Sequence, residues 1–263
     1  MKHVLAALCA SLLALNASAQ SATDEIAKYR EMIADGNPAE LFEAKGEALW
    51  KAVDGPKKAS LEKCDLGLGP GVVKGAYAQT PRYFADTDRV QDAESRLLSC
   101  METLQGFSAA DVAKTAFGRG KKADVVALVT YLSGESKGVK VNVQPVHAKE
   151  KEMMALGRKA FYLQSGPHDF SCASCHGEDG RRIRLQDLPN ITVPQGAAKG
   201  WTTWPAYRVS NGQMWSMQHR LNDCFRQQRF PEPVYGSELT IALSYYMAAL
   251  SHGAAMATPG IKR

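Results

Sequence analysis

Three side chains that could together bind a metal cofactor lie close together in the second half of the chain. Cys172, Cys175 and His176 follow the spacing C-x-x-C-H within FSCASCHGED. Two thiols at this spacing can form thioether bonds to both vinyl groups of one haem, and the histidine after them can bind its iron. The alternatives are a chance match or half of a zinc site. The motif occurs once, so it predicts one covalently bound haem c.

Downstream of this motif, four residues could bind the other face of the iron. They are Met214, Met217, His219 and Cys224. Methionine is common in electron carriers and raises the reduction potential, whereas an anionic thiolate donates strongly and stabilises ferric iron. A methionine ligand would therefore indicate a plain electron-transfer cytochrome, and a Cys224 ligand would indicate sulfur chemistry at the haem. The residue types alone leave both interpretations open.

Arginines surround the candidate cysteine in the sequence. Arg220 precedes Cys224 by four residues, so on a helix the two would share a face. A guanidinium in that position lowers the pKa of a thiol and can hold an oxyanion through two hydrogen bonds. Other arginines follow the haem motif or Cys224 itself: Arg181, Arg182, Arg184, Arg226 and Arg229. Each of these alone is typical of a solvated surface, but together they indicate an anionic substrate.

The first residues have the pattern of an export signal. A positive start at Lys2 precedes a short apolar run, and the sequence ASA at residues 17–19 is a typical cleavage motif. The apolar run is too short to cross a bilayer, so residues 1–19 are predicted to be a signal peptide and the mature chain a periplasmic protein. No later segment of the sequence is apolar enough to predict a membrane span.

Charge and length narrow the function classes. Lys and Arg total 32 against 27 Asp and Glu, which gives a formal net charge of +5, and the basic residues are dispersed along the chain. This pattern is not typical of a protein that binds nucleic acid. The chain has 263 residues, enough for two modest domains after a signal peptide is removed.

The chain contains an internal repeat. GEALWKAVDGP, which starts at Gly46, resembles GRKAFYLQSGP, which starts at Gly157, and the same offset places LEKCD on CASCH. Further on, PRYFADTDRVQDAESRLLSC aligns without a gap with PAYRVSNGQMWSMQHRLNDC, which pairs Arg96 with Arg220. Near the ends, ADVVALVTYLSG resembles SELTIALSYYMAA, and both are typical of an amphipathic helix that closes a small helical domain.

This repeat predicts a mainly α fold with two tandem domains that resemble class I cytochrome c. The first domain, residues 20–145, would be haem-free. The second, residues 146–263, would bind haem and contain the active site. A stretch rich in Gly and Val near residues 134–147 would be the linker.

The repeat also assigns the remaining cysteines. An exported protein meets an oxidising compartment, where an unpaired cysteine needs an explanation. Cys64 occupies the position of a haem cysteine, but Asp65 stands where the iron ligand would be and cannot replace a histidine. Cys64 and Cys100 are therefore predicted to form a disulfide. A second haem held by one thioether is the weaker alternative, and Cys224 is left as the one unpaired thiol.

Several stretches resemble the SoxA family, the catalytic cytochrome c subunits of the SoxAX complex of bacterial thiosulfate oxidation. They are GEALW, CDLGLGPGVVKGAYAQTPRYFADTDRV, LLSCMETLQGF, SCASCHGEDGRRIRLQDLPN, HRLNDCFRQQRFPEP and ELTIALSYYMAALSHG. Together they extend over nearly all of the predicted mature chain.

The resemblance implies an L-cysteine S-thiosulfotransferase. Such an enzyme joins thiosulfate oxidatively to a cysteine of the carrier complex SoxYZ, and two electrons pass through haem to a SoxX subunit and a soluble cytochrome c. Carried over to this sequence, Cys172 and Cys175 would attach the haem and His176 would be its proximal ligand. Cys224, a persulfide in this family, would be the distal ligand and active-site cysteine, and Arg220 would contact the substrate.

The chain departs from the family members that have two haems. Those members have another C-x-x-C-H motif in the first domain, where this chain has LEKCD. The resemblance therefore indicates the monohaem type, with a disulfide in place of the missing haem. Two other functions remain as alternatives: a plain electron carrier with Met214 or Met217 on the iron, and a scaffold whose haem-free half only docks partners.

Overall fold

The computed structural model describes Lys28, residues 36–183 and residues 186–262. The predicted signal peptide, residues 1–19, lies outside these ranges. Two compact units are distinguished, Met1–Pro38 and Ala39–Arg263. All the elements described below belong to the larger one.

The larger unit is mainly helical, as the sequence predicts. Its helices are α1 Ala39–Lys51, α2 Ala93–Cys100, α3 Ala109–Lys114, α4 Gly120–Gly134, α5 Ala148–Tyr162, α6 Cys172–His176, α7 Pro194–Trp201, α8 Met217–Gln227 and α9 Glu238–Leu250. Its strands are β1 Arg82–Phe84, β2 Arg89–Gln91, β3 Arg182–Ile183, β4 Gln186–Asp187, β5 Ala206–Arg208, β6 Gln213–Trp215 and β7 Gly260–Lys262. Among the described residues, no helix is both long and apolar enough to cross a membrane.

The strands form small sheets that the helical sequence pattern did not predict. β1 pairs with β2, and β3 with β4, as antiparallel hairpins. β5 lies between antiparallel β6 and parallel β7. Strands of two or three residues carry too little alternation to be recognised in a sequence. The β5–β6 hairpin leads directly into α8, the helix that contains Arg220 and Cys224.

Two helix crossings have the same construction. α1 packs on α4 and α5 packs on α9, and each crossing has a glycine at its centre. A Cβ atom at Gly46 would overlap the backbone carbonyl of Ala127, and one at Gly157 would overlap that of Ala242. Only glycine allows two helix backbones to approach so closely. These positions correspond in the repeat found in the sequence.

The helices α2 and α8 also begin alike. Each follows a two-stranded hairpin and has a polar N-cap side chain: Asp92 Oδ1 accepts from the Ser95 amide at 2.8 Å, and Ser216 Oγ accepts from the His219 amide at 3.2 Å. Such caps satisfy amide groups that have no partner inside the helix. The cap fixes where α8 begins, and therefore which residues face its neighbours.

Cys64 and Cys100 form the predicted disulfide. Their Cα atoms are 5.6 Å apart, and 36 positions separate them in the sequence. A bridge that closes a loop of this length removes chain entropy from the unfolded state equivalent to roughly 3–4 kcal/mol. Both cysteines are buried, so the bridge lies within the core of the first half.

The connection between α4 and α5 is an integral part of the core. Val141 and Val143 are buried, and the Val141 amide donates to the Ala254 carbonyl at 2.8 Å. One cluster of buried apolar residues extends from Leu97 in the first half to Tyr245 in the second. The division into domains at residues 145 and 146 therefore stays a prediction, since Ala39–Arg263 forms one compact unit.

A buried hydrogen-bond network joins α2 to α8. Glu94 on α2 accepts from Tyr235 Oη at 2.6 Å and from the Gln218 amide at 3.2 Å. The Gln218 side chain donates to Asp92 Oδ2 at 2.6 Å. Burial, reinforced by the Asp92 charge, raises the pKa of Glu94 to about 8. A mostly neutral acid at this position therefore helps to fix α8 against the first half.

Candidate functional site

The predicted haem-attachment residues lie on one short helix, α6. At its start, the amide of Ser171 donates to Ser174 Oγ at 3.0 Å, and the amide of Ser174 donates to Ser171 Oγ at 3.2 Å. This reciprocal cap fixes the first turn. Cys172 and Cys175 are free thiols separated by three positions, so they lie on neighbouring parts of one helical face. His176 is the last residue of the same helix.

The imidazole of His176 is oriented by a backbone contact. Its Nδ1 atom lies 2.9 Å from the carbonyl oxygen of Pro189. A carbonyl can only accept, so we assign the proton to Nδ1, which leaves Nε2 with a free lone pair. Burial lowers the pKa of His176, and the Arg220 charge lowers it further. A neutral imidazole held in this way is the form that binds a metal.

Cys224 and Arg220 both lie on α8, as their spacing predicts. The Arg220 guanidinium donates to Asp223 Oδ2 at 3.0 Å, and Arg226 donates to Asp223 Oδ1 at 2.6 Å. The Gln227 side chain donates to the same carboxylate. Asp223 is buried and thus anchors the guanidinium beside the cysteine. Asp223 was not among the candidates chosen from the sequence, although its spacing of three residues from both arginines on a helix is a recognisable signal.

The structure places Cys224 in the same region as Cys172 and Cys175. Burial raises the pKa of Cys172 to about 12, and a charge on Cys224 contributes to that shift. Burial likewise raises the pKa of Cys224, while Arg220 and Arg208 act in the opposite direction. These mutual effects indicate that the three thiols and the two arginines occupy one region.

Both candidate methionines pack elsewhere. Met214 on β6 is buried in a cluster with Ala39 and Val126 of the first half. Met217, at the start of α8, is buried beside Ala93 on α2. Neither position favours a methionine on the iron.

His219 is packed among aromatic side chains. Its ring is stacked between those of Phe117, with centroids 4.1 Å apart, and Trp215, at 4.0 Å. Burial lowers its pKa to about 4, so the ring is a neutral part of the interface between the halves. Of the four sequence candidates for the second axial position, Cys224 has the surroundings that fit best.

Arg208, at the end of β5, lies near Arg220 and Cys224 and was not among the candidates chosen from the sequence. It is half-buried, and none of the described residues accepts a hydrogen bond from its Nε atom. Its guanidinium carbon lies 5.1 Å from the centre of the Trp215 ring. Burial lowers the pKa of Arg208, and the nearby Arg220 charge lowers it further. The sequence signal for Arg208 is a difference within the repeat: the equivalent position in the first half is Phe84.

The arginines after the haem motif are surface residues. Arg181 forms an ion pair with Glu178 at 2.8 Å, and Arg182 forms one with Asp187 at 3.0 Å. All four side chains are more than half exposed to solvent. These arginines therefore match the surface interpretation, and Arg184 lies outside the described residues.

The side chains present fit a covalently bound haem. Two free thiols at the attachment spacing precede an imidazole whose Nε2 is available, and a third thiol lies in the same region. Together the fold and the site define a helix-rich protein of the cytochrome c type.

Comparison with known proteins identifies the family. The family model described as SoxA/TsdA, cytochrome c domain, matches residues 45–141. The L-cysteine S-thiosulfotransferase subunit SoxA of Hydrogenophilus thermoluteolus is 59% identical over 238 residues, which cover 90% of this chain and 87% of that protein. A SoxA subunit of Hydrogenobacter thermophilus is 35% identical over 253 residues, covering 94% and 92%. This chain therefore belongs to the SoxA family.

A solved structure supports the same conclusion. The crystal structure of SoxXA from P. pantotrophus matches with a TM-score of 0.70 and 25% sequence identity. The match covers 86% of this chain and 79% of that one.

Proposed function

We propose that this chain is the SoxA subunit of an L-cysteine S-thiosulfotransferase that joins thiosulfate to a cysteine of a SoxYZ-type carrier. The observation that carries the proposal is the placement of Cys224 in the same region as Cys172 and Cys175, with Arg220 one helical turn away. The 59% identity to a protein of this name supports it.

The reaction has a defined electron balance. A carrier thiolate and a thiosulfate dianion form one sulfur–sulfur bond, which yields a carrier-bound S-thiosulfonate monoanion and two electrons. Cys172, Cys175, His176 and Cys224 would hold a haem c, which would supply a one-electron acceptor. A second acceptor is therefore required, and a SoxX-type subunit followed by a soluble cytochrome c would provide it.

Each residue of the site has a role in this proposal. Arg220, held by Asp223, binds and orients the thiosulfate anion. Cys224, a persulfide by family resemblance, would lie where the sulfur–sulfur bond between carrier and thiosulfate forms. Pro189 orients His176 through its carbonyl group. Cys224 is partly buried, and the lower dielectric there strengthens the attraction between guanidinium and anion.

We also propose that the chain consists of two tandem cytochrome c-like domains, residues 20–145 without haem and residues 146–263 with one haem c. The matching helix crossings, hairpins and helix caps support this division. The family model for a cytochrome c domain falls on the first half, where the Cys64–Cys100 disulfide takes the place of a haem. Export to the periplasm through residues 1–19 belongs to the same proposal.

A plain electron carrier with a methionine ligand is less well supported, because both methionines pack against the first half. The test is turnover with thiosulfate, carrier, SoxX-type partner and cytochrome c. We expect Cys224→Ala to lower the rate of thiosulfate-dependent cytochrome c reduction at least about 100-fold. Haem should remain covalently attached, because Cys172 and Cys175 are intact.

The exposed Ser210 in the β5–β6 turn provides a control, and Ser210→Ala should turn over normally. The mass of the peptide that contains Cys224, prepared without reductant, should show one added sulfur atom. Unchanged turnover in Cys224→Ala would refute the proposed function.

A further inference from the structure

We propose that Arg208 is a second positioning residue for the anionic substrate and acts with Arg220 to hold the sulfonate group of thiosulfate beside Cys224. This inference rests on the proposed function and adds to it a residue outside α8.

Arg208 has an unsatisfied hydrogen-bond donor. The Nε atom of Arg208 is buried, and within the described part of the chain it has no hydrogen-bond acceptor. Leaving a buried charged donor without a partner costs more than about 1–3 kcal/mol. An anion at this position would remove that cost. The orientation of Arg208 is thus better suited to a ligand than to the fold alone.

The two halves of the repeat differ in the surroundings of their equivalent arginines, Arg96 and Arg220. In the haem-free half, Phe84 occupies the position equivalent to Arg208, and Arg96 the position equivalent to Arg220. There the Arg96 guanidinium lies 4.2 Å from the centre of the Phe84 ring and forms an ion pair with Asp86 at 2.8 Å. The arginine of that half is therefore satisfied by an aromatic face and a carboxylate.

The second half has neither of these partners at the equivalent positions. Arg208 replaces the phenylalanine, and Ser210 stands at the position of Asp86. Two guanidinium groups now lie near each other, an arrangement that is unfavourable without a counter-charge. Asp223 supplies one negative charge but is shared between Arg220 and Arg226. A net positive charge remains beside Cys224.

Thiosulfate has the matching charge and shape. It is a dianion whose sulfonate oxygens accept hydrogen bonds, and the fork of a guanidinium suits such oxyanions. Arg208 approaches from the end of β5, and Arg220 approaches from α8. An anion bound by both would be held from two elements, which restricts its orientation more than one arginine can.

The decisive variant is Arg208→Phe, which copies the first half and so has a precedent in the same fold. In the assembled holoenzyme we expect the KM for thiosulfate to rise about 10- to 100-fold, as for the loss of a charged hydrogen bond. The KM for the carrier should stay within about twofold. Arg208→Lys should recover part of the loss because it keeps the charge.

A binding measurement without turnover provides an independent readout. Optical titration of the ferric holoprotein with thiosulfate, in the absence of carrier, should show weaker binding in Arg208→Phe by a similar factor. Arg158→Gln, which removes one exposed positive charge on α5, is the matched control and should bind as the wild type does. Arg208→Gln replaces the phenylalanine variant if the latter does not fold.

The outcomes separate this inference from the proposed function. If the wild type turns over and Arg208→Phe and Arg208→Gln bind thiosulfate within twofold of it, Arg208 has no positioning role. A rise in the KM for the carrier alone would also overturn the inference. If the wild type fails to conjugate thiosulfate, the proposed function is wrong, and the optical titration still decides whether Arg208 holds the anion.

Discussion

Arg220 owes its place beside Cys224 to a single carboxylate. Asp223 accepts hydrogen bonds from Arg220, Arg226 and Gln227, and its own burial restricts where these side chains can lie. Arg220, beside Cys224, thus belongs to a hydrogen-bonded group centred on Asp223. A guanidinium that is held in advance loses less freedom when it binds an anion.

Replacing Asp223 tests this anchoring. We expect Asp223→Asn to lower kcat about 10-fold, because the guanidinium loses its charged acceptor and its fixed orientation. The KM for thiosulfate should change less than kcat, since the lost preorganisation of Arg220 and the added positive charge affect anion binding in opposite directions. Steady-state kinetics of the assembled enzyme separate the two constants. Arg229→Gln, at an exposed position beyond α8, is the control; an unchanged kcat in Asp223→Asn would contradict the anchoring role.

Some of these residues could be predicted from the sequence, and others could not. The C-x-x-C-H motif and the spacing of Arg220 and Cys224 are local, so they were readable directly. Arg208 was not, because it reaches the site only when the β5–β6 hairpin folds back towards α8. The packing of His219 was hidden for a similar reason: the face of α8 that meets the first half is set by tertiary contacts.

At the scale of elements, α8 is the helix on which the site depends. Its start is fixed by the Ser216 cap, and its first turn by the network around Glu94. This network joins α8 to α2, which carries Cys100 of the disulfide. The position of Cys224 is therefore coupled to the packing of the first half.

The Glu94 network predicts a dependence of stability on pH. The pKa of Glu94 is about 8 in the folded protein and close to 4.5 in the unfolded chain. The folded state thus binds the proton more tightly, so its contribution is full below pH 4.5 and is lost as pH rises towards 8. The loss is on the order of a few kcal/mol.

Glu94→Gln keeps the shape of the neutral acid and removes the titration. We expect the variant to lose less thermal stability than the wild type between pH 5 and pH 8. Glu152→Gln, at an exposed position on α5, should follow the wild type. Thermal unfolding at a series of pH values gives the slopes, and equal slopes for Glu94→Gln and the wild type would show that Glu94 does not titrate in this range.

At the scale of the whole molecule, the repeat predicts two separate domains, whereas the shared core indicates that the two halves unfold together. The repeat in the sequence correctly predicted the disulfide and the corresponding helices. It did not reveal that Val141 and Val143 would bury the connection between the halves, because burial depends on what packs around a segment. Two halves that share one continuous core should unfold together, whereas two domains with separate cores should not.

Removing the disulfide distinguishes these possibilities. We expect the double variant Cys64→Ala with Cys100→Ala to unfold in one transition, about 10 °C below the wild type, since roughly 3–4 kcal/mol is lost. The Soret absorbance of the haem and the far-ultraviolet dichroism should shift equally, although the disulfide lies in the first half and the C-x-x-C-H motif in the second. A Soret transition that stays in place while part of the dichroism shifts would mean that the halves unfold independently. In that case the linker does not couple them, and the first half could be replaced without loss of the haem site.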